Sequence, residues 1–409
     1  MKWAWGIFSL ALASVATAAK PAETYTNVTV FDPPADYTIP RTLYARTLQL
    51  PDGTLLSTWE NYLPNNDSNP YFPIYESCDN GKTWSERSRL YDQVNHWGAR
   101  YQPFLYQLPQ NVGAYKKGDI LLAGNFIPND LSQTKIDIYV SSDNAKSWRF
   151  VSSVARGGEA LPNNGLTPVW EPFLMVYKNQ LVCFYSDQRD FTHNGQKLVH
   201  QTSTDLVNWG SVVNDVAYNN TDWRPGMTTV SALPNGKYIM TYEFYGAVEA
   251  AFAVYYRVAD SPLLFNEAQG YVVKATDGTV PVSSPYNVWT PVGGKDGSII
   301  VSCGTLSQIF INHDLATPGS PWQKVEVPAG ISYTRSLRIL KDPSELLIVG
   351  GGVLSGTNNS VLATLVKVPA CKKKSISCYQ FLIEIWLLRS CEIMSVNAQA
   401  FFVLYYSCC

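Results

Sequence analysis

Two short stretches carry the residue types needed to cut a bond at an acetal carbon. Glu171 stands in Trp170-Glu171-Pro172 and Glu243 in Tyr242-Glu243-Phe244. A carboxyl held protonated can donate to a leaving oxygen, while a second carboxylate stays ionised as nucleophile or base. Two such groups converging on a concave, aromatic-lined mouth suit glycosidic bond cleavage. A separation of about 5–5.5 Å would imply retention of anomeric configuration through a glycosyl-enzyme intermediate. Gln102, Asp187, Arg224, Tyr333 and Arg335 are candidate substrate contacts around the pair. Asp187, Arg189 and Asp190 would serve equally as a solvated ion cluster. Tyr333 and Arg335 would serve equally as packing that closes the fold. Glu60, in Thr58-Trp59-Glu60, has the same sequence phase as Glu243, so that phase is not unique to catalysis. Glu60→Gln is expected to change activity little.

The elements that must hold these residues repeat along the chain. The turn Ser-x-Asp-x-Gly-x-Thr-Trp is complete over residues 77–84 and varied over 141–148, with a shortened copy from Ser203 to Trp209. Its Asp and Ser bond the turn backbone, Gly or Asn tolerates the unusual dihedrals, and Trp covers the turn. This is the Asp-box, and copies about sixty residues apart mark repeated units. A second signal is an aromatic-x-Pro step ahead of an apolar strand, at Tyr101-Gln102-Pro103, Trp170-Glu171-Pro172, Trp223-Arg224-Pro225 and Trp289-Thr290-Pro291. Tyr44-Ala45-Arg46 and Tyr333-Thr334-Arg335 are looser members. Each step leads to a strand, a turn and another strand, as in Leu233-Pro234-Asn235-Gly236 and the run to Glu243. Six such units of four short antiparallel strands predict an all-β, six-bladed β-propeller. Helical periodicity is almost absent before residue 370. In a propeller the first strand of each blade lines the channel, and its start shares a face with the end of the second. The expected ring at the mouth is therefore Ala45, Gln102, Glu171, Arg224, Thr290 and Thr334.

Composition narrows the function. The 409 residues are 46% hydrophobic and 13% aromatic, enough for a large core, with 16% charged residues and a net charge of −2. No basic tract fits nucleic acid or a membrane surface. With four His and no paired-cysteine spacing, neither a metal centre nor a cofactor is expected. The substrate would be a polysaccharide or oligosaccharide, and the protein a monomer.

The termini differ from the body. Residues 1–18 read as a signal peptide, with Lys2, an apolar run over 7–15 and a small-residue cleavage site at Ala16-Thr17-Ala18, so the protein is expected to be secreted. Sequons at Asn27, Asn66, Asn219 and Asn358 agree with that route. Residues 19–370 would form the propeller. Residues 371–409 open on three lysines and hold five cysteines, reading either as a non-native tail or as a short terminal extension.

Several of these stretches together resemble glycoside hydrolase family 93: residues 170–174, 185–189 and 242–244, supported by 197–205 and 224–229. The resemblance spans residues 25 to 368. It implies a sialidase-like propeller that releases arabinobiose from the non-reducing end of α-1,5-linked L-arabinan with retention. It further implies Glu171 as acid/base, Glu243 as nucleophile and Tyr333 as a tyrosine near the site. An exo-sialidase is a competing expectation, because Arg46, Arg224 and Arg335 start inner strands and three converging arginines would bind a carboxylate sugar. A non-catalytic carbohydrate-binding propeller is another; it would not need the glutamate pair.

Overall fold

The computed structural model describes residues 24–64 and 69–369, and the leader and the tail after 370 lie outside the described residues. Six four-stranded antiparallel sheets follow one another along the chain, each the blade of a β-propeller. The innermost strands are Thr42–Gln49, Ala99–Gln107, Val169–Tyr177, Arg224–Ala232, Tyr286–Thr290 and Ser336–Ile339. The strands next to them are Leu55–Asn61, Ile120–Phe126, Gln180–Asp187, Tyr238–Tyr245, Ser298–Ser302 and Glu345–Gly350. These second strands are apolar and almost wholly buried, as strands covered on both faces by neighbouring blades must be. One three-residue 3-10 turn, Phe265–Glu267, is the only helical element among the described residues.

The ring closes on itself by hydrogen bonding. The strand Tyr25–Phe31 forms the outer edge of blade six beside Val361–Lys367, with Val28 opposite Ala363 and Thr29 opposite Leu362. Closure is thus complete within the described residues.

The Asp-boxes are clasps between the third and fourth strands of blades one, two and three. Ser77 Oγ accepts the Gly81 N–H at 2.8 Å, and Asp79 accepts the Thr83 N–H at 2.9 Å and its hydroxyl at 2.6 Å. Ser141 and Asp143 repeat this at Ala145 and Ser147. The Trp of the second and third boxes also reaches back one blade: Trp148 Nε1 donates to Ser88 Oγ and Trp209 Nε1 to Ser152 Oγ. The boxes therefore staple neighbouring blades at the periphery, far from the channel mouth.

Candidate active site

The site begins with a backbone irregularity repeated six times. At the head of each inner strand one residue takes a left-handed conformation: Tyr44 (φ 53°), Gln102 (58°), Glu171 (61°), Met227 (61°), Ser284 (41°) and Thr334 (55°). In blades one to four this is a β-bulge, seen as a register break between Leu43 and Arg46, Tyr101 and Phe104, Trp170 and Phe173, and Gly226 and Thr229. Such a conformation costs a non-glycine residue about 1–3 kcal/mol and persists only where the surroundings enforce it. A bulge re-aims side chains, here towards the channel mouth.

This ring corrects the expected one in three blades. Gln102, Glu171 and Thr334 are the left-handed residues of their blades, whereas in blades one, four and five these are Tyr44, Met227 and Ser284 and not Ala45, Arg224 and Thr290; Arg224 nonetheless lines the cavity at the mouth. Proline is a poor marker of the position. It follows the bulge residue in blades two and three, whereas Pro225 precedes Met227. Trp289-Thr290-Pro291 lies at the far end of its inner strand, where Thr290 is buried and donates to the Pro343 carbonyl at 2.7 Å.

A bulge frees a backbone N–H from the ladder, and a buried donor must find another partner. In five blades that partner is a side chain of the preceding blade. Gln102 N–H donates to Glu60 Oε1 (3.0 Å), Glu171 N–H to Gln102 Oε1 (3.1 Å) and Met227 N–H to Glu171 Oε2 (2.8 Å). Ser284 N–H donates to Glu243 Oε2 (2.7 Å) and Thr334 N–H to Ser284 Oγ (3.1 Å). Three carboxylates thus belong to a collar that joins blade to blade around the mouth.

Above the collar opens a cavity of about 730 Å³ whose wall includes Glu60, Gln102, Glu171, Arg224, Glu243 and Tyr333. A second cavity of about 560 Å³ lies at the other end of the inner strands, against Gln49, Gln107, Trp289 and Arg338, and holds no carboxylate. The carboxylates single out the first. Glu171 Oε2 and Glu243 Oε1 are each 3.6 Å from the point where a Cβ on Gly226 would sit. Glycine there leaves the gap between the two carboxyls open. Ser186, which pairs with Trp170 across the bulge, donates to Glu171 Oε2 at 2.6 Å. Burial pushes the Glu243 carboxyl up to about 7, and the nearby Glu171 adds to the rise. Burial raises Glu171 too, opposed by its bonds from Ser186 and Met227 and by the Arg224 guanidinium. Arg224 is itself held by Gln188 Oε1 (2.9 Å), Gln196 Oε1 (3.1 Å) and Asn164 Oδ1 (2.6 Å). Burial and the carboxylates keep Tyr333 a neutral phenol, packed edge-on to Tyr44.

Two expected substrate contacts are placed elsewhere. Asp187 is 3% exposed and does not line the cavity; it forms a two-point pair with Arg189 at 2.9 and 2.8 Å. Its neighbour Ser186 takes the site position instead, because successive strand residues face opposite sides. Arg335 is 1% exposed and donates to the Ser307, Gln308 and Gly330 carbonyls. Arg46 donates to the Ala45 and Thr334 carbonyls, both at 3.0 Å, and stacks on Tyr44. The three arginines of the sialidase expectation therefore do not converge; Arg224 alone lines the cavity. Glu60, set aside on sequence, does line it, and its shared phase with Glu243 was the signal that could have found it. No group of three His, Cys, Asp or Glu able to hold a metal ion occurs among the described residues.

No protein-family model and no curated protein sequence matches the chain. Among solved structures, it is similar to an α-L-arabinofuranosidase of Fusarium graminearum in complex with an iminosugar inhibitor. The identity is 52%, with 85% of this chain and 98% of that chain covered at a TM-score of 0.83. The same Fusarium enzyme, described as a GH93 α-L-arabinofuranosidase with arabinobiose, covers 84% of this chain and 98% of its own at 52% identity and a TM-score of 0.83. An α-L-arabinanase of Penicillium chrysogenum complexed with arabinobiose is 51% identical over 85% of this chain and 99% of that one, with a TM-score of 0.82. The NanB sialidase of Streptococcus pneumoniae, at 12% identity and a TM-score of 0.54, shares the fold alone.

Proposed function

The chain belongs to glycoside hydrolase family 93, and from that premise we propose that it releases arabinobiose from the non-reducing end of α-1,5-linked L-arabinan with retention of configuration. The arabinobiose-bound enzymes of Fusarium and Penicillium support the substrate class. The observation that carries the chemistry is the placement of Glu171 and Glu243 on either side of Gly226. Their facing oxygens can be no further apart than twice 3.6 Å. That ceiling admits the roughly 5–5.5 Å of retaining enzymes.

In this mechanism the scissile bond lies over Gly226. Glu171 protonates the leaving oxygen while Glu243 attacks the anomeric carbon, forming a covalent ester. Glu171, now ionised, then takes a proton from water as the water oxygen attacks the anomeric carbon and the bond to Glu243 breaks, which releases the sugar and returns both carboxyls to their starting states. Arg224 stabilises negative charge on the pair, and Tyr333 donates its neutral hydroxyl. The reverse assignment, with Glu243 as the acid, has one observation in its favour: the Glu243 carboxyl is raised to about 7. Azide rescue of glycine variants separates the two. The nucleophile variant yields a glycosyl azide of inverted configuration, the acid/base variant one of retained configuration.

The experiment that tests the function is product analysis on linear arabinan, with a sialoside in parallel. Arabinobiose as the sole early product is expected. Sialic acid release, or silence on both, refutes it.

The protein is further proposed to be secreted and to act as a monomer. The leader over residues 1–18 supports secretion, and Asn27, Asn219 and Asn358 are exposed. One chain supplies the whole cavity wall, so no second copy is needed to build the site. Gel filtration of the protein recovered from culture medium checks both.

A further inference from the structure

Glu60 occupies in blade one the position that Glu243 occupies in blade four. Glu60 pairs with Leu43 immediately before the Tyr44 bulge, as Glu243 pairs with Gly226 immediately before the Met227 bulge. Each accepts the bulge N–H of the next blade, Gln102 for Glu60 and Ser284 for Glu243. Blades one and four face each other across a six-bladed ring, so the two glutamates form a pseudo-two-fold pair over the channel axis.

Clasping a bulge does not require an acid. Blade two has Asn125 at this second-strand position and its clasp is the amide of the bulge residue Gln102, while blade five clasps Thr334 N–H with the Ser284 hydroxyl. At Glu60 the carboxyl is 3% exposed and takes part in none of the ion pairs among the described residues. Its oxygens accept one protein hydrogen bond each, from Gln102 N–H at 3.0 Å and from the Tyr62 hydroxyl at 2.8 Å. A carboxylate oxygen has two acceptor sites, so each keeps one for a ligand, and Glu60 borders the cavity it shares with Glu171 and Glu243. A neutral sugar offers hydroxyl donors, and a buried carboxylate is a strong acceptor for them.

We infer that Glu60 is a third substrate-contacting carboxylate, accepting hydroxyl hydrogen bonds from the furanosyl unit seated across the axis from the Glu171–Glu243 pair. This rests on the arabinan reading above and reverses the expectation that Glu60 is dispensable. The residue binds and positions; it takes no part in bond making or breaking.

The test is calorimetric titration of arabinobiose into the full chain and its Glu60→Gln variant, with KM and kcat on linear arabino-oligosaccharides and a thermal melt of each. The amide keeps an acceptor for Gln102 and a polar group for Tyr62, so the melt should be unchanged. In titrations at about pH 8, above the value of about 7 to which burial pushes the Glu60 carboxyl, affinity should fall about tenfold or more, the loss expected for a hydrogen bond to a charged group, with KM rising in step and kcat changing less. Equal affinity and equal KM in the two proteins overturn the inference while leaving the arabinan reading intact. A wild-type chain that neither binds arabinobiose nor cleaves arabinan overturns both. Should Glu60→Gln fail to fold, Glu60→Asp, which keeps the charge but draws the carboxyl back from the cavity, must weaken arabinobiose binding; unchanged binding there overturns the inference equally.

Discussion

The backbone N–H of Met227 donates to Glu171 Oε2 across 2.8 Å, so the carboxylate proposed as acid/base is also the clasp between blades three and four. Glu243 has the same double attachment through Ser284. A side chain fixed by the backbone of the next blade needs no reorganisation when substrate arrives, which is the preorganisation that catalysis at a fixed geometry requires.

Replacing either carboxylate should therefore separate chemistry from folding. Glu171→Gln and Glu243→Gln are each expected to lower kcat by about 10²–10⁴ or more. Both should melt close to wild type, because the amide oxygen still accepts the bulge N–H. Near-normal turnover in either variant would remove that residue from the mechanism.

The pH dependence follows from the burial of the carboxyls. Glu60 and Glu243 are both raised to about 7, and Glu171 is raised as well. Activity needs one of the catalytic pair protonated, so kcat/KM should fall above about pH 7 as the last shared proton leaves. Stability moves in the same direction. Between the ordinary glutamate value of 4.5 and about 7, the folded chain binds more protons than the unfolded one. Stability is then fully present below 4.5 and declines as pH rises through that window. A melt series from pH 4.5 to 8 checks the sign, and Glu243→Gln should flatten it; a melting temperature that climbs across the window contradicts it.

Gly226 is predicted to be required for space and not for backbone freedom. An added methyl would sit 3.6 Å from both catalytic carboxyls and 2.8 Å from Gln196 Nε2, the movable end of a side chain. Gly226→Ala should fold, since only Gln196 has to shift, yet lose more than about tenfold in kcat/KM, because a misplaced reacting group is heavily penalised. Wild-type kinetics in this variant would show that the substrate does not enter the gap.

Arg224 and Arg335 should respond in opposite ways. Arg335→Met strips the Ser307, Gln308 and Gly330 carbonyls of a donor and is expected to cost about 1–3 kcal/mol, with KM unchanged in the folded fraction. Arg224→Met should melt near wild type and lose kcat/KM, since the guanidinium stands on the cavity wall. Denaturant unfolding paired with kinetics distinguishes them.

Much of the protein was determined by local sequence. The Asp-boxes could be recognised because their Ser, Asp and Thr bond a backbone within four residues, as at Ser77–Thr83. The short alternating runs between turns were enough for six blades, because strand and hairpin preferences act over a few residues. Glu171 and Glu243 stood out by their phase in the repeats and by motif resemblance, and both line the cavity, as do Gln102, Arg224 and Tyr333. What only the tertiary structure decided was phase. The six left-handed positions are Tyr, Gln, Glu, Met, Ser and Thr, which share no side-chain property. Their conformation comes from pairing with the second strand and from an acceptor on the preceding blade, contacts spanning some forty to seventy residues. For that reason the sequence put Ala45 and Thr290 in the ring, turned Asp187 and Arg335 towards substrate, and passed over Glu60.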